Sequence, residues 1–324
     1  MGNGRESLLH QVSSATRALS ASWSERDSES LLWLASFPRS GNTFCRILLA
    51  NYFAAGDTPF DINGLHDFIP PDTSAVLWKE LIRQPAEEDI RNQTWKLRPE
   101  FIERYRKVPK TGGLAGLKTH TANLAVNGSS GFTFRSNDRA IYVVRHPLDV
   151  LLSYSDFNNR NLDSAIDVMN MSGTFVQEDY VGGFEVRGSW GEHVMSWVKS
   201  PPCPLLLIRY EELCRSTEAV LRDMLAFLGA PIVPERVQQA VEASRFDKVR
   251  EQEDAHSFNE APKTLQSGNF FRKGKSLEWL HELTPEQAYR MADGCAEVMQ
   301  QLGYTNPREV YFDGRNALRP IALA

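Results

Sequence analysis

The chain has 324 residues, 42% of them hydrophobic and 24% charged, which suffices for a full core and excludes a disordered segment. Its net charge of −5 excludes a partner held mainly by neutralising a nucleic-acid backbone, yet it is compatible with a local basic pocket for a small anion. Cys45, Cys203, Cys214 and Cys295 stand far apart with no CxxC pair and no neighbouring His cluster, so neither a disulfide framework nor a metal site is expected.

Residues 1–30 mix Ser, Arg and Glu without an apolar stretch and read as a loose lead-in with no signal peptide. No later run has the apolar length of a membrane span, so a cytoplasmic protein without a membrane partner is expected. Leu31 to Phe37 reads as a buried strand, and Pro38, Gly41 and Asn42 break it. From Thr43 a helical period begins with Phe44, Ile47, Leu48 and Leu49, Thr43 being placed to cap the first turn and Arg46 lying on another face. A strand, a tight loop and a helix leave backbone N–H groups converging on one point, and Arg39, Ser40 and Thr43 add donors around them. The unit is suited to an anion. A triphosphate P-loop would need an early Gly and then Gly-Lys-Ser/Thr, whereas Gly41 is followed here by Asn42 and Thr43.

Residues 54–96 carry Pro59, Gly64, Pro70 and Pro71 and suggest loops rather than core. Residues 97–108 read as an amphipathic helix ended by Gly112-Gly113, and a second apolar run, Leu114 to Leu117, leads into Lys118-Thr119-His120. The clearest strand covers 139–145, followed by His146-Pro147 and a helix through Tyr154. Residues 158–188 are polar and read as an insertion or lid. A helix over 189–198, a strand over 204–209, a helix over 217–228 closed by Gly229 and another over 234–244 come next. Residues 251–275 read as one long loop, and Thr284-Pro285-Glu286-Gln287 caps a last helix running to about Leu302. Strands separated by helices imply an α/β fold, a three-layer sandwich with a central parallel sheet whose anion-binding turns gather at one edge.

The segment Phe37-Pro38-Arg39-Ser40-Gly41-Asn42-Thr43-Phe44 resembles the 5′-phosphosulfate loop of the soluble sulfotransferases that use 3′-phosphoadenosine 5′-phosphosulfate (PAPS). Ile141 to Tyr154 resembles the same family's 3′-phosphate motif, with Arg145 and Ser153 at its two phosphate-holding positions. Phe271-Arg272-Lys273-Gly274, with Trp279 after it, is similar to the family's Arg-Lys-Gly loop over the nucleotide; Gly188-Ser189-Trp190 with His193 and Trp197 is similar to its Gly-Ser-Trp helix. Arg209-Tyr210-Glu211-Glu212-Leu213 matches the segment whose Tyr meets the adenine, and Ser244-Arg245-Phe246 lies where an aromatic ring stacks on the base. Lys118-Thr119-His120 matches the family's Lys-Thr-His, in which the His is the general base. Taken singly, an Arg-Lys-Gly is a solvated turn, a lone His is structural, and Trp190 and Trp197 are core.

The resemblance implies a P-loop-like nucleotide-binding architecture over residues 31–305, between a lead-in at 1–30 and a tail at 306–324. It implies PAPS as co-substrate, the adenosine bisphosphate PAP as product, and a small-molecule hydroxyl acceptor; no nucleic acid and no metal enter. The implied catalytic residues are His120, Lys118 and Arg39. The implied nucleotide contacts are Arg39, Ser40, Gly41, Asn42, Thr43, Phe44, Arg145, Ser153, Tyr210, Phe246, Phe271, Arg272, Lys273 and Gly274. Two departures stand out: Arg39 replaces the usual Lys, and a guanidinium fork is no simple substitute for an ammonium; Phe44 replaces the usual Trp. An ATP-dependent small-molecule kinase and a catalytically silent nucleotide-binding protein are the rival readings. The acceptor pocket is expected from loops at 59–72 and 158–188. No match to the family's C-terminal dimerisation motif is found, so the oligomeric state is open.

Overall fold

The computed structural model describes residues 29–311 apart from 55–57, 82–89, 109–114, 174, 178–183, 263–264, 266–267, 272–273 and 275. Leu31 to Ser36 has no polar side chain before Ser36 and becomes strand β1 (Leu32–Ser36), buried along its whole length. Helix α1 (Asn42–Phe53) follows at once, and after α2 (Ile90–Arg106) the chain enters β2 (Gly116–Thr119). Next come β3 (Arg139–Val144), α3 (Pro147–Phe157), α4 (Leu162–Asn170), α5 (Trp190–Val198) and β4 (Leu205–Arg209). Helices α6 (Thr217–Leu228), α7 (Pro234–Ala243), α8 (Phe246–His256) and α9 (Pro285–Asp293) complete the main framework.

The four strands form one parallel sheet in the order β2-β1-β3-β4. Side chains alternate across it, as the two-residue strand period requires. Trp33 and Ala35 of β1 and Ala140, Tyr142 and Val144 of β3 enter a core with Leu151, Trp190 and Trp197. Leu32, Leu34, Ile141 and Val143 face the opposite way onto Leu48, Leu225 and Val237 of α1, α6 and α7. This is the expected three-layer α/β sandwich, and both phosphate-type turns leave the sheet at the C-terminal ends of β1 and β3. No helix among the described residues is long and apolar enough to cross a membrane.

Several elements differ from the sequence reading. Residues 59–81 are not plain loop. They hold a 3₁₀ turn at Ile62–Gly64 and short helices at Leu65–Phe68 and Ala75–Leu81, and they bury Ile62 and Leu65 with Ile47, Val249 and Phe258 in a satellite core. The polar 158–188 segment contains α4, capped by Asn161, whose Ala165, Ile166 and Met169 join the main core, and a hairpin pairing 175–177 with 184–186. Helix α8 continues to His256 where a loop was expected from 251. Its faces are charged and only Val249 and Glu253 are buried, so no apolar stripe announced it; Lys248–Glu251 and Arg250–Asp254 pairs line it instead. The last helix breaks at Gly294 because the Asn170 side chain takes the Arg290 carbonyl that the next turn would have used, and a Cβ at Gly294 would lie 2.2 Å from that side chain. Thr43 does not cap α1; the helix starts one residue earlier, from Gly41 in the left-handed region. The lead-in up to residue 28, Gly112-Gly113, Leu114, and the tail beyond 311 lie outside the described residues, while helix Pro307–Tyr311 places Val310 against the main core.

Candidate active site

The turn from β1 to α1 has Arg39 at φ 67° and Gly41 at φ 105°. A Cβ on Gly41 would sit 2.4 Å from Cδ2 of Tyr210, so glycine is required both by the backbone and by the ring lying over it. Ser40 is buried, and its Oγ has no hydrogen-bond partner among the described residues, a cost that an oxyanion held in this loop removes. Asn42 has another task. Its Nδ2 donates to the Leu34 carbonyl at 2.9 Å and to Ser36 Oγ at 3.3 Å and ties helix to strand, so its side-chain donor is committed within the protein.

Arg145 leaves the end of β3 with its guanidinium 4.5 Å from the centre of the Tyr210 ring and donates to the Arg39 carbonyl at 3.3 Å. Ser153, two turns along α3, accepts from Arg39 Nε at 2.9 Å. The Arg39 guanidinium lies between the Phe157 and Phe270 rings, 4.5 and 4.3 Å from their centres, and donates to the Phe270 carbonyl. Thus Arg39, read from sequence as both a catalytic cation and a nucleotide contact, is gathered here with Arg145 and Ser153. A lysine has no planar fork to stack in this way. The main-chain N–H groups of Phe270 and Phe271 are both held by the Glu253 carboxylate. Phe246 is 39% exposed and lines the cavity, with Gly274 so close that a Cβ there would meet the ring at 2.6 Å. An apolar ring left open on a cavity wall is a stacking platform. Arg272 and Lys273 lie outside the described residues.

Lys118 and His120 leave the end of β2 into the same cavity of about 1060 Å³, which is also lined by Arg39, Gly41, Asn42, Thr43, Phe44, Arg145, Ser153, Tyr210 and Phe271. The two phosphate motifs and the Lys-Thr-His segment therefore converge on one space. His120 Nδ1 stands 2.8 Å from the Ser36 carbonyl, which can only accept, so Nδ1 carries the proton and Nε2 keeps its lone pair. Burial, and then the Lys118 cation, hold this imidazole well below the usual histidine range.

His193 and His146 occupy different settings. His193 is fully buried, its Nε2–H donating to the His120 carbonyl at 3.0 Å and its Nδ1 accepting from the Tyr142 hydroxyl at 2.8 Å. His146 caps α3 and stacks on Trp279. Burial pushes both down to about 3. Because their folded values lie below the unfolded value, their contribution to stability is complete above pH 6.5 and is lost as the pH falls toward 3. Between pH 7 and pH 5 the two should together cost about 4 kcal/mol, at about 1.4 kcal/mol per group for each pH unit below 6.5. Thermal unfolding followed over this range should show a falling midpoint; a flat one contradicts burial of the two imidazoles in neutral form.

Sequence reasoning missed several residues in and around the site. Arg46, placed on another face of its helix, is fully buried and grips Glu260 with both terminal nitrogens, at 2.8 and 2.7 Å. Arg187 lines the cavity and is paired with buried Glu185. The same cavity is also lined by His66, Thr73, Ser74, Val76 and the 259–262 segment as well as Asn158 and Arg187, so the loops expected to form an acceptor pocket supply only part of this wall. No local pattern signals a pair separated by 214 residues.

A parallel α/β sheet with a strand-loop-helix turn, Arg145 with Ser153, and His120 facing one cavity has the layout of a nucleotide-dependent group transferase. The family description "Sulfotransferase domain" matches residues 29–303, and the chain belongs to that family. Sulfotransferase 2A2 of Rattus norvegicus is 28% identical over 194 residues, covering 59% of this chain and 67% of its own length. The 3-beta-hydroxysteroid sulfotransferase of Cavia porcellus is 28% identical over 175 residues, covering 53% and 59%. The chain thus matches about three fifths to two thirds of the length of these curated relatives. Among solved structures, retinol dehydratase in complex with androsterone and inactive cofactor PAP aligns with a TM-score of 0.56 at 18% identity, covering 86% of this chain and 83% of that one. A mouse sulfotransferase complexed with PAP aligns with a TM-score of 0.52 at 19% identity, covering 91% and 90%. These neighbours share the fold.

Proposed function

We propose that the protein transfers the sulfonate of PAPS to a hydroxyl of a small-molecule acceptor and releases PAP. The observation that carries this reading is the one cavity that joins Arg39, Gly41, Asn42 and Thr43 of the loop, Arg145 and Ser153 to Lys118 and His120. The loop's N–H groups and Ser40 suit the 5′ end, Arg145 and Ser153 suit a 3′-phosphate, and Phe246 with Tyr210 suits the base. His120 Nε2 takes the acceptor's proton as the new O–S bond forms and the bond to the leaving phosphate breaks; the Lys118 cation is at hand for charge growing on oxygen. A kinase reading lacks the Gly-Lys-Ser/Thr of a triphosphate loop. The curated relatives named for hydroxysteroids make a steroid alcohol the first acceptor to try, and a cytoplasmic setting is part of the same proposal. The decisive experiment incubates the protein with PAPS and phenolic, alcoholic and amine acceptors and measures PAP release; no release with any acceptor, alongside phosphate transfer from ATP, overturns the reading.

Turnover should not need a divalent metal, since arginine and lysine side chains supply the positive charge and the described residues contain no group of three His, Cys, Asp or Glu side chains placed to hold an ion. The rate in EDTA should equal the untreated rate. A collapse reversed by Mg²⁺ would favour the kinase.

A further inference from the structure

Arg46 carries the fully buried guanidinium of α1, and its bonds tie Glu260 on the cavity wall to the Leu65 carbonyl. Its two terminal nitrogens hold both Glu260 oxygens, and one of them also donates to the Leu65 carbonyl at 2.7 Å. The segment around Glu260 is fixed twice more, by Asn63 Nδ2 donating to the Ser257 carbonyl and by the Asn259 N–H donating to Asn63 Oδ1. Glu260 itself is 17% exposed on the cavity, and its Oε2 lies 3.9 Å from Lys118 Nζ.

A buried ion pair is a poor device for stability alone, because two apolar side chains of similar volume hold the same segments as well or better. What an apolar pair cannot do is present a carboxylate to an ammonium. At 3.9 Å the attraction directs Lys118 without engaging it in a short hydrogen bond, so its protons remain for substrate oxygens. We propose that Glu260 is a positioning residue: clamped by Arg46, its carboxylate sets where the Lys118 ammonium stands beside His120. The nucleotide loop's own helix thereby orients a reacting cation on the neighbouring strand. Burial alone would raise the Glu260 carboxyl, but Lys118 and then Arg46 outweigh it and bring it to about 2, so the carboxylate is charged at every working pH.

The meaning of this arrangement for turnover rests on the sulfonate-transfer reading, so the test has an arm that does not. Three proteins are compared with the wild type: Glu260→Gln, Glu260→Asp, and the double variant Arg46→Met with Glu260→Met. The double variant leaves no unpaired buried charge and is expected to fold; Glu260→Asp keeps Arg46 paired while drawing the carboxylate away from Lys118. PAP affinity should stay near the wild-type value in all three, and kcat should fall about tenfold in the double variant and less in Glu260→Asp. Lys118 acetylation by acetic anhydride, read by peptide mass spectrometry, should be faster than in the wild type, most of all in Glu260→Gln. A folded, PAP-binding double or Asp variant with wild-type kcat and wild-type Lys118 labelling overturns the proposal. If the wild type transfers no sulfonate at all, the function fails, while the labelling still decides whether Glu260 governs Lys118.

Discussion

Replacing His120 with alanine should lower kcat by about 10²–10⁴-fold while PAP affinity stays nearly unchanged. A hydroxyl is a poor nucleophile until its proton is taken, so the step needs a neutral base with a free lone pair at the reacting end of the cavity. Of the two histidines that line the cavity, His66 holds its Nε2 against the Ser74 hydroxyl at 3.1 Å, and His120 stands next to the end of β2, which carries Lys118. His193 has both nitrogens committed, to the His120 carbonyl and to Tyr142, and His146, the N-cap of α3, is buried in a stack with Trp279. His120 lines the cavity with its Nδ1 proton fixed on the Ser36 carbonyl. Since burial and Lys118 keep it uncharged well below the ordinary range, the wild-type rate should be level from pH 8 to below pH 6.5 and drop only on stronger acidification. An alanine variant with unaltered kcat, or one that no longer binds PAP, removes His120 from this role.

The parts of the site legible in the sequence are those whose chemistry is local. Strand, turn and helix around Gly41 lie within two dozen residues, and the turn needs φ above zero where glycine stands; the strand-to-helix turn at Arg145 is equally compact. Thr217–Leu228 ends at Gly229, as its left-handed cap requires. Where the determinant is tertiary, the sequence is silent. Nothing near Arg46 says that a carboxylate will meet it, and the alternative of a solvated helix face is the ordinary fate of an arginine. Helix α8 is charged on most faces and is anchored by Val249 in the satellite core with Ile47, Ile62 and Phe258, so no period of apolar residues reveals it. Asn42 shows the converse. Its position in the loop motif suggested a ligand contact, and the structure gives its amide to Leu34, a bond that no motif spells out.

PAP should bind far more tightly than AMP, by about 10²–10⁴-fold, because two groups stand ready for a 3′-phosphate and a charge-assisted contact of this kind contributes about 1.5–3 kcal/mol. Arg145 is held in place before any ligand arrives, by the Tyr210 ring below it and the Arg39 carbonyl beside it, so little side-chain entropy is left to lose on binding. Ser153 is prepared in a different way. Its oxygen accepts from Arg39 Nε, which leaves its own proton as a donor. The same contact brings the Arg39 charge to the pair, in place of the ammonium expected at this position, and its stacking between Phe157 and Phe270 ties the phosphate site to the segment that Glu253 holds over it. Calorimetry of PAP and AMP against the wild type, Arg145→Leu and Ser153→Ala measures the effect directly. Each substitution should weaken PAP and leave AMP nearly unchanged, so the gap between the nucleotides narrows by the contact removed. Equal affinities in the wild type take both residues out of the 3′-phosphate site, whereas a gap that survives both substitutions moves that site to cations outside this pair, such as Arg272 and Lys273.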